Sequence, residues 1–106
     1  MTAVRTDEDL QCVLDIGKDH AAYAGHFPGS PILPGAVLLD EALQKIARSR
    51  GIDLRQWRIA TAKFFGRVHP GDELTLRHSA PTSVTIRFSI GTARGIVAAG
   101  TLTYGD

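Results

Sequence analysis

The chain has 106 residues, with 12 Lys and Arg against 11 Asp and Glu, a net charge of +1 and one cysteine. This length predicts a single domain over residues 1–106. A net charge so close to zero gives no indication of a nucleic-acid or membrane partner, and one cysteine cannot form an internal disulfide. The sequence has no apolar run near the roughly 18 residues of a membrane span and no apolar signal segment, so we expect a cytoplasmic protein.

The first predicted elements are a short strand and a long loop. Apolar and polar residues alternate over 11–16, which predicts a strand that ends at Gly17. Residues 18–34 then hold repeated Pro and Gly, which exclude a helix or a central strand. A loop this long in a small domain is often functional. Its prolines restrict the backbone and can hold His26 in place, and histidine is the usual side chain for proton transfer near neutral pH.

A single helix of about sixteen residues is predicted from Pro34 and Gly35 to just before Gly51, since Pro is tolerated in a first turn and Gly ends helices. Its first half is apolar around most of its circumference, which indicates a helix surrounded by other structure. The apolar side carries Leu38, Leu39, Ala42, Leu43 and Ile46, and the polar side carries Glu41, Lys45 and Arg48.

Four further strands are predicted over residues 59–65, 73–78, 84–90 and 95–104, each with alternating polar and apolar residues. The third of them places Val84, Ile86, Phe88 and Ile90 on one side. Short turn sequences join these strands, which favours an antiparallel sheet. We therefore expect an α+β fold in which one sheet curls around one buried helix.

Two acidic residues in the helix receive different interpretations. Asp40 lies near the boundary of the apolar side, one turn before Gln44, and partial burial there would favour the neutral form of a carboxyl group, as a proton donor requires. A boundary aspartate that is bonded to Gln44 and has no catalytic role is the alternative. Glu41 lies on the polar side, where pairing with Lys45 predicts an ordinary solvated charge.

The first turn of the helix supplies a third chemical element. The N–H groups of Gly35 and Ala36 have no partner within the helix, and the helix dipole is positive there, so a carbonyl oxygen that becomes negative could bind. A base at His26, an acid at Asp40 and these donors fit proton abstraction next to a carbonyl with loss of a leaving group.

The run GHFPGSPILPGAVLLDEALQ, residues 25–44, closely resembles the signature of the 3-hydroxyacyl-acyl carrier protein dehydratases. The segments AKFFGRVHPGDEL and GIVAAGTLTY are similar to later strands of that family. The resemblance implies the hot-dog fold, a curved antiparallel sheet around one long central helix. Asp40 stands where the common fatty acid dehydratases have Glu and where the dehydratase and isomerase branch, with its longer chain, has Asp. The short chain resembles the compact dehydratases of specialised lipid or aryl polyene pathways.

The same resemblance implies a reaction and its residues. His26 would remove the C2 proton of a 3-hydroxyacyl thioester carried by acyl carrier protein, while the N–H of Gly35 holds the carbonyl. Asp40, supported by Gln44, would protonate the leaving hydroxyl, which gives a trans-2-enoyl thioester and water. The family needs no metal or other cofactor, and its two catalytic side chains come from opposite subunits, which implies a homodimer or a higher homo-oligomer.

Two other functions remain possible for the same fold. A hot-dog thioesterase would use the helix carboxylate to assist the attack of water on the thioester. A non-catalytic subunit would bind an acyl carrier without turnover. His20, His69 and His78 lack the spacing of a zinc site. Arg48, Lys63 and Arg67 are candidate contacts for an acidic carrier protein, and a solvated surface is the alternative for all three.

Overall fold

The structure, a computed structural model, describes residues 9–17, 33–82 and 84–105. Its elements in chain order are the strand β1 (Leu10–Leu14), the helix α1 (Gly35–Arg50), a short 3₁₀ helix (Leu54–Gln56) and the strands β2 (Trp57–Phe64), β3 (Leu74–His78), β4 (Thr85–Thr92) and β5 (Gly95–Tyr104). The structure therefore tests the predicted strand at residues 11–16 but does not describe most of the predicted loop at 18–34. The strand begins one residue earlier than predicted and ends two residues earlier, at Leu14. The loop residues 18–32 lie outside the described part.

The five strands form one antiparallel sheet in the order β1-β3-β4-β5-β2. Helix α1 packs on one face of this sheet, which confirms the predicted α+β class and the hot-dog arrangement of one helix against one sheet. Within the described ranges, β1 and β2 form the two edges. The apolar residues that alternate along β3 and β4 point toward the helix, because successive side chains of a strand point to opposite faces.

The core lies between the helix and the inner face of the sheet. Its fully buried members include Ala42 and Ile46 from α1 and Ile86, Ile90 and Leu102 from the sheet. One expectation about β4 was wrong. Val84 was predicted to lie on the same side as Ile86, Phe88 and Ile90, yet it is 45% exposed whereas those three are buried. The strand begins only at Thr85, so Val84 lies in the preceding turn and does not follow the alternation.

The end of the helix matches its sequence signal. Gly51 adopts a left-handed backbone with φ of 67°, and its N–H donates to the carbonyl of Ala47, so the glycine after Arg50 ends the helix as predicted. Another glycine is required inside the sheet. A Cβ at Gly100 would overlap the carbonyl oxygen of Thr61 and come within 2.8 Å of the Phe88 ring, at the point where the β2–β5 register shifts.

A buried histidine connects the last turn of α1 to β3. The imidazole of His78 is fully buried, its Nδ1 accepts a hydrogen bond from Nε of Arg50 at 3.0 Å, and its backbone carbonyl accepts a second from the same guanidinium at 3.0 Å. Nε2 is buried with no hydrogen-bond partner among the described residues. Burial, and then the positive charge of Arg50, lower the pKa of His78 below its ordinary 6.5, and Asp9 partly opposes this.

This histidine makes the stability of the fold sensitive to acid. The folded protein holds His78 neutral at a pH where the unfolded chain already binds a proton, so the free energy of unfolding falls as the pH drops below about 6.5 and is constant above it with respect to this group. The variant His78→Asn keeps an acceptor for Arg50 and does not titrate. We expect its urea midpoint to fall less between pH 7.5 and 5.5 than that of the unchanged protein. Equal losses in the two proteins would contradict this assignment.

Candidate functional site

The amino end of helix α1 is the centre of the candidate site. Pro34, in an extended conformation, precedes the helix and provides no side-chain cap, and its carbonyl accepts hydrogen bonds from the N–H groups of Val37 and Leu38 at 3.1 Å. The N–H groups of Gly35 and Ala36 precede these in the first turn, where donors have no partner within the helix. No acidic side chain lies in this first turn, so the turn itself places no negative charge at the positive end of the helix dipole.

An aromatic side chain from β2 lies directly over this helix end. A Cβ placed on Gly35 would come within 2.8 Å of the Phe64 ring, so the glycine allows the ring to approach the backbone of the first turn. Two residues earlier, the N–H of Leu33 donates to the carbonyl of Val68 at 2.8 Å. Phe64 and Val68 therefore bracket the start of the helix from the sheet side.

Asp40 and Gln44 form the second part of the site. The amide Nε2 of Gln44 donates to Oδ2 of Asp40 at 2.9 Å, one helical turn apart, as expected from the sequence. The bond holds one carboxylate oxygen and leaves Oδ1 for another group. Asp40 thus has a fixed orientation on the same helix whose amino end carries the two N–H donors.

The prediction that Asp40 is partly buried was wrong for the single chain. The helix buries Leu38, Ala42 and Ile46 against the sheet, and the residues most exposed on the opposite side recur every four positions. Asp40 and Gln44 lie on this exposed line, and Glu41, predicted to be solvated, is half-buried. The predicted apolar side was broad and included Leu39 and Leu43, which are only half-buried, so it did not indicate which side of the helix is most buried. The exposed line consists of Ala36, Asp40, Gln44 and Arg48.

The remaining predicted site residues divide into two groups. His26, the proposed base, and His20 lie outside the described residues, so their placement relative to Asp40 stays a prediction. His69 and His78 have different surroundings. His69 is half-exposed in the β2–β3 turn, whereas His78 is buried in the core. Among the residues that the structure describes, no three His, Cys, Asp or Glu side chains form a group that could hold a metal ion.

Phe64 is a residue of the site that the sequence did not single out. Its ring reaches the first turn of the helix at Gly35. No local sequence signal identifies this contact, because it depends on the sheet register that places Phe64 on the inner face of β2, opposite the buried Ala98 of β5. Its 49% exposure marks a ring that the helix does not fully cover.

Among the described residues, no helix is both long enough and apolar enough to cross a bilayer.

The edge strand β2 is mostly exposed. All of its residues after the half-buried Trp57 are exposed, on both faces of the sheet, and Trp57 itself packs edge-on against Tyr104 at a centroid distance of 5.5 Å. Ile59 and Phe64 on the helix side are 39% and 49% exposed, which is unusual for large apolar residues of an inner sheet face.

The comparisons with known proteins agree with the fold and the motif. The family model described as ApeI dehydratase, ApeI-like, matches residues 2–101. A 3-hydroxyacyl-[acyl-carrier-protein] dehydratase FabZ from Chlamydia trachomatis is 42% identical over 64 residues, which cover 52% of this chain and 42% of that protein. The chain thus matches less than half the length of this curated relative.

Solved structures show the same fold at low identity. The dehydratase heterocomplex ApeI:P from Xenorhabdus doucetiae matches with a TM-score of 0.74 and 19% identity over 94% of this chain and 89% of that one. The fluoroacetyl-CoA thioesterase FlK matches with a TM-score of 0.59 and 9% identity over 95% of this chain and 86% of that one. The hot-dog fold is therefore shared by dehydratases and thioesterases.

The contact between Gly35 and Phe64 can be tested by a double-mutant cycle. We expect Gly35→Ala to lower the free energy of unfolding by about 1 kcal/mol, because the new methyl group displaces the ring, and to have almost no cost in the Phe64→Ala background. Urea denaturation of the four proteins measures the coupling. Phe65→Ala, which removes the neighbouring ring, is the matched control and should leave the cost of Gly35→Ala unchanged. Equal coupling to both rings would contradict the placement of Phe64.

Proposed function

Because the chain belongs to the ApeI-like dehydratase family, we propose that it converts a 3-hydroxyacyl thioester on acyl carrier protein to the trans-2-enoyl thioester and water. The observation that carries this proposal is the arrangement on helix α1, where a first turn without a side-chain cap and a carboxyl group held by Gln44 lie five residues apart. Such a pair can act on two atoms of one small substrate, its carbonyl oxygen and its 3-hydroxyl.

The carbonyl oxygen of the thioester would bind at the N–H of Gly35. Loss of the C2 proton places negative charge on this oxygen, and a fixed N–H at the positive end of a helix stabilises that charge. The thioester itself makes the C2 proton acidic, so the elimination requires no cofactor. The Phe64 ring beside Gly35 would keep water away from the developing charge.

His26 and Asp40 would divide the proton transfers. His26 takes the C2 proton, the electron pair forms the C2–C3 double bond, and the C3–O bond breaks as Asp40 gives its proton to the leaving hydroxyl. Gln44 holds Oδ2 of Asp40, so Oδ1 is the oxygen that faces the substrate. The proton on His26 then returns to Asp40 and restores the starting state.

A second copy of the chain would complete this site. Asp40 is exposed in the single chain, and a carboxyl group that gives a proton has to be withdrawn from water, since burial favours its neutral form. The edge strand β2 is exposed on both faces and has β5 as its one partner in the described part. We propose a homodimer in which this edge and the exposed line of α1 face the partner, with His26 contributed across the interface.

A thioesterase is the second candidate, and the similarity to the FlK fold favours it. In that reaction an exposed carboxylate such as Asp40 would activate a water molecule against the carbonyl held at the helix end. The products distinguish the two reactions, because a dehydratase keeps the thioester bond and a thioesterase releases a free thiol.

We expect His26→Ala and Asp40→Ala each to lower the turnover of 3-hydroxyacyl carrier protein at least about a hundredfold, the lower range for a lost acid or base. Glu41→Ala, which removes the neighbouring carboxylate, is the matched control and should stay near the unchanged activity. Mass spectrometry of the carrier follows enoyl formation and its reverse hydration. Loss of activity in Glu41→Ala beside an active Asp40→Ala would reverse the assignment.

Mixing the two inactive variants tests the shared site. If the two side chains of one site come from different chains, a mixed dimer has one intact site, and a statistical mixture should recover about a quarter of the unchanged activity. No recovery after subunit exchange would place both residues in one chain. Thiol release without enoyl product would favour the thioesterase, and carrier binding without any product would favour a non-catalytic subunit.

A further inference from the structure

The turn between β2 and β3, residues 69–72 (HPGD), is closed by two hydrogen bonds. The N–H of Asp72 donates to the carbonyl of His69 at 3.1 Å. Gly71 has a φ of 89°, and a Pro–Gly pair with a positive φ at the glycine is typical of a type II turn. In the opposite direction, the N–H of His69 donates to Oδ2 of Asp72 at 2.9 Å. The Asp72 carboxylate is therefore part of the turn.

A cation from the β4–β5 hairpin holds this carboxylate. Nη2 of Arg94 lies 2.8 Å from Oδ2 of Asp72, and Nη1 lies 3.5 Å from Oδ1. The Asp72 side chain is only 16% exposed. The hydrogen bond from Arg94, and to a smaller extent that from His69, lowers the pKa of Asp72 below its ordinary 3.8, although partial burial opposes them. Asp72 is therefore charged and fixed in place at neutral pH.

The peptide bond between Val68 and His69 connects this carboxylate to the helix. Its N–H is the donor to Asp72, and its carbonyl, which points the opposite way in a trans peptide, accepts the N–H of Leu33 at 2.8 Å. Leu33 is buried and lies two residues before Gly35, where α1 begins. Because hydrogen bonds in a chain polarise one another, the charged acceptor on this N–H strengthens the bond from Leu33.

The same hairpin also holds the segment that precedes this peptide. The N–H groups of residues 65 and 66 both donate to the carbonyl of Val97, at 2.8 and 3.4 Å. Val97 holds the beginning of the segment 65–72, and Arg94 holds its end through Asp72. The carbonyl of Val68 lies between these two points, so its direction depends on both of them.

We propose that Asp72 and Arg94 are positioning residues for the N–H of Gly35. They act through the Val68–His69 peptide and Leu33, and not on the substrate. This inference rests on the proposed function, in which that N–H holds the thioester carbonyl. A donor to a developing charge has to be correctly placed, and a displacement of about 1 Å can cost about a hundredfold in rate. An ion pair whose arginine is 61% exposed contributes little to stability, so we expect its effect on the chemical step.

The test compares Asp72→Asn and Arg94→Gln with the unchanged protein on 3-hydroxyacyl carrier protein. Asparagine keeps an oxygen for the N–H of His69, but it is neutral, so Arg94 no longer holds it by charge. We expect kcat to fall about tenfold in each variant with KM within about twofold, because the N–H acts mainly on the transition state. The double variant should lose no more than either single variant, and Arg94→Lys, which keeps the charge, should recover part of the rate.

The matched control is Asp53→Asn. Asp53 also pairs with an arginine, Arg55 at 2.9 Å, and also accepts a backbone N–H, but it caps the 3₁₀ helix before β2. We expect its kcat to be unchanged. An equal loss in Asp53→Asn would show a general effect of removing an ion pair and overturn the proposal. A loss that is confined to KM in the Asp72 and Arg94 variants would overturn it as well.

Amide hydrogen exchange separates this proposal from the proposed function, because it requires no substrate. We expect Asp72→Asn and Arg94→Gln each to speed exchange of the Leu33 N–H about tenfold, with unchanged rates for the core amides of β4, which report global unfolding. Faster exchange at Leu33 alone, with no enoyl product from the unchanged protein, would support the positioning pair and reject the dehydratase. Unchanged exchange at Leu33 in both variants would overturn the positioning pair at any level of activity.

Discussion

The rotation of helix α1 about its own axis determines where the chemistry of this protein can occur. Leu38, Ala42 and Ile46 recur every four residues and are buried against the sheet, and burial of the two larger side chains contributes about 1.5–3 kcal/mol each. This contact fixes the rotation of the helix, so it also fixes which residues lie on the opposite side. Asp40 and Gln44 must therefore face away from the sheet, and Gly35 must begin the helix beneath Phe64.

The core and the Asp40 carboxyl group both need to be shielded from water, but they lie on opposite sides of helix α1. The proposed dimer would shield both sides. The core needs the apolar side of the helix toward the sheet, whereas a proton donor needs an environment with little water. A single chain of this size cannot cover both sides of its helix with one sheet. A second copy would cover the exposed line and the exposed edge strand together, so the same event would stabilise the fold and complete the site.

The sequence predicted the positions of the helix and the strands well, but it did not predict which side of the helix faces the sheet. Gly51 ended the helix and the alternation of Ile86, Phe88 and Ile90 identified a strand, because both signals are local. The prediction that Asp40 is partly buried was wrong for the single chain, because a helix that is apolar on most sides does not indicate which side meets the sheet. The contact of Phe64 with Gly35 joins residues distant in the chain, and no local pattern contains it.

The central claim is that the N–H of Gly35 holds the thioester carbonyl, and infrared spectroscopy of a bound thioester labelled with ¹³C at that carbonyl tests it directly. Proline is accepted at the first helical position and lacks an N–H, and Phe64→Ala makes room for its ring. We expect the carbonyl band to shift to lower frequency on binding to the Phe64→Ala protein and to lose that shift when Gly35→Pro is added. An identical band in both proteins would contradict the claim.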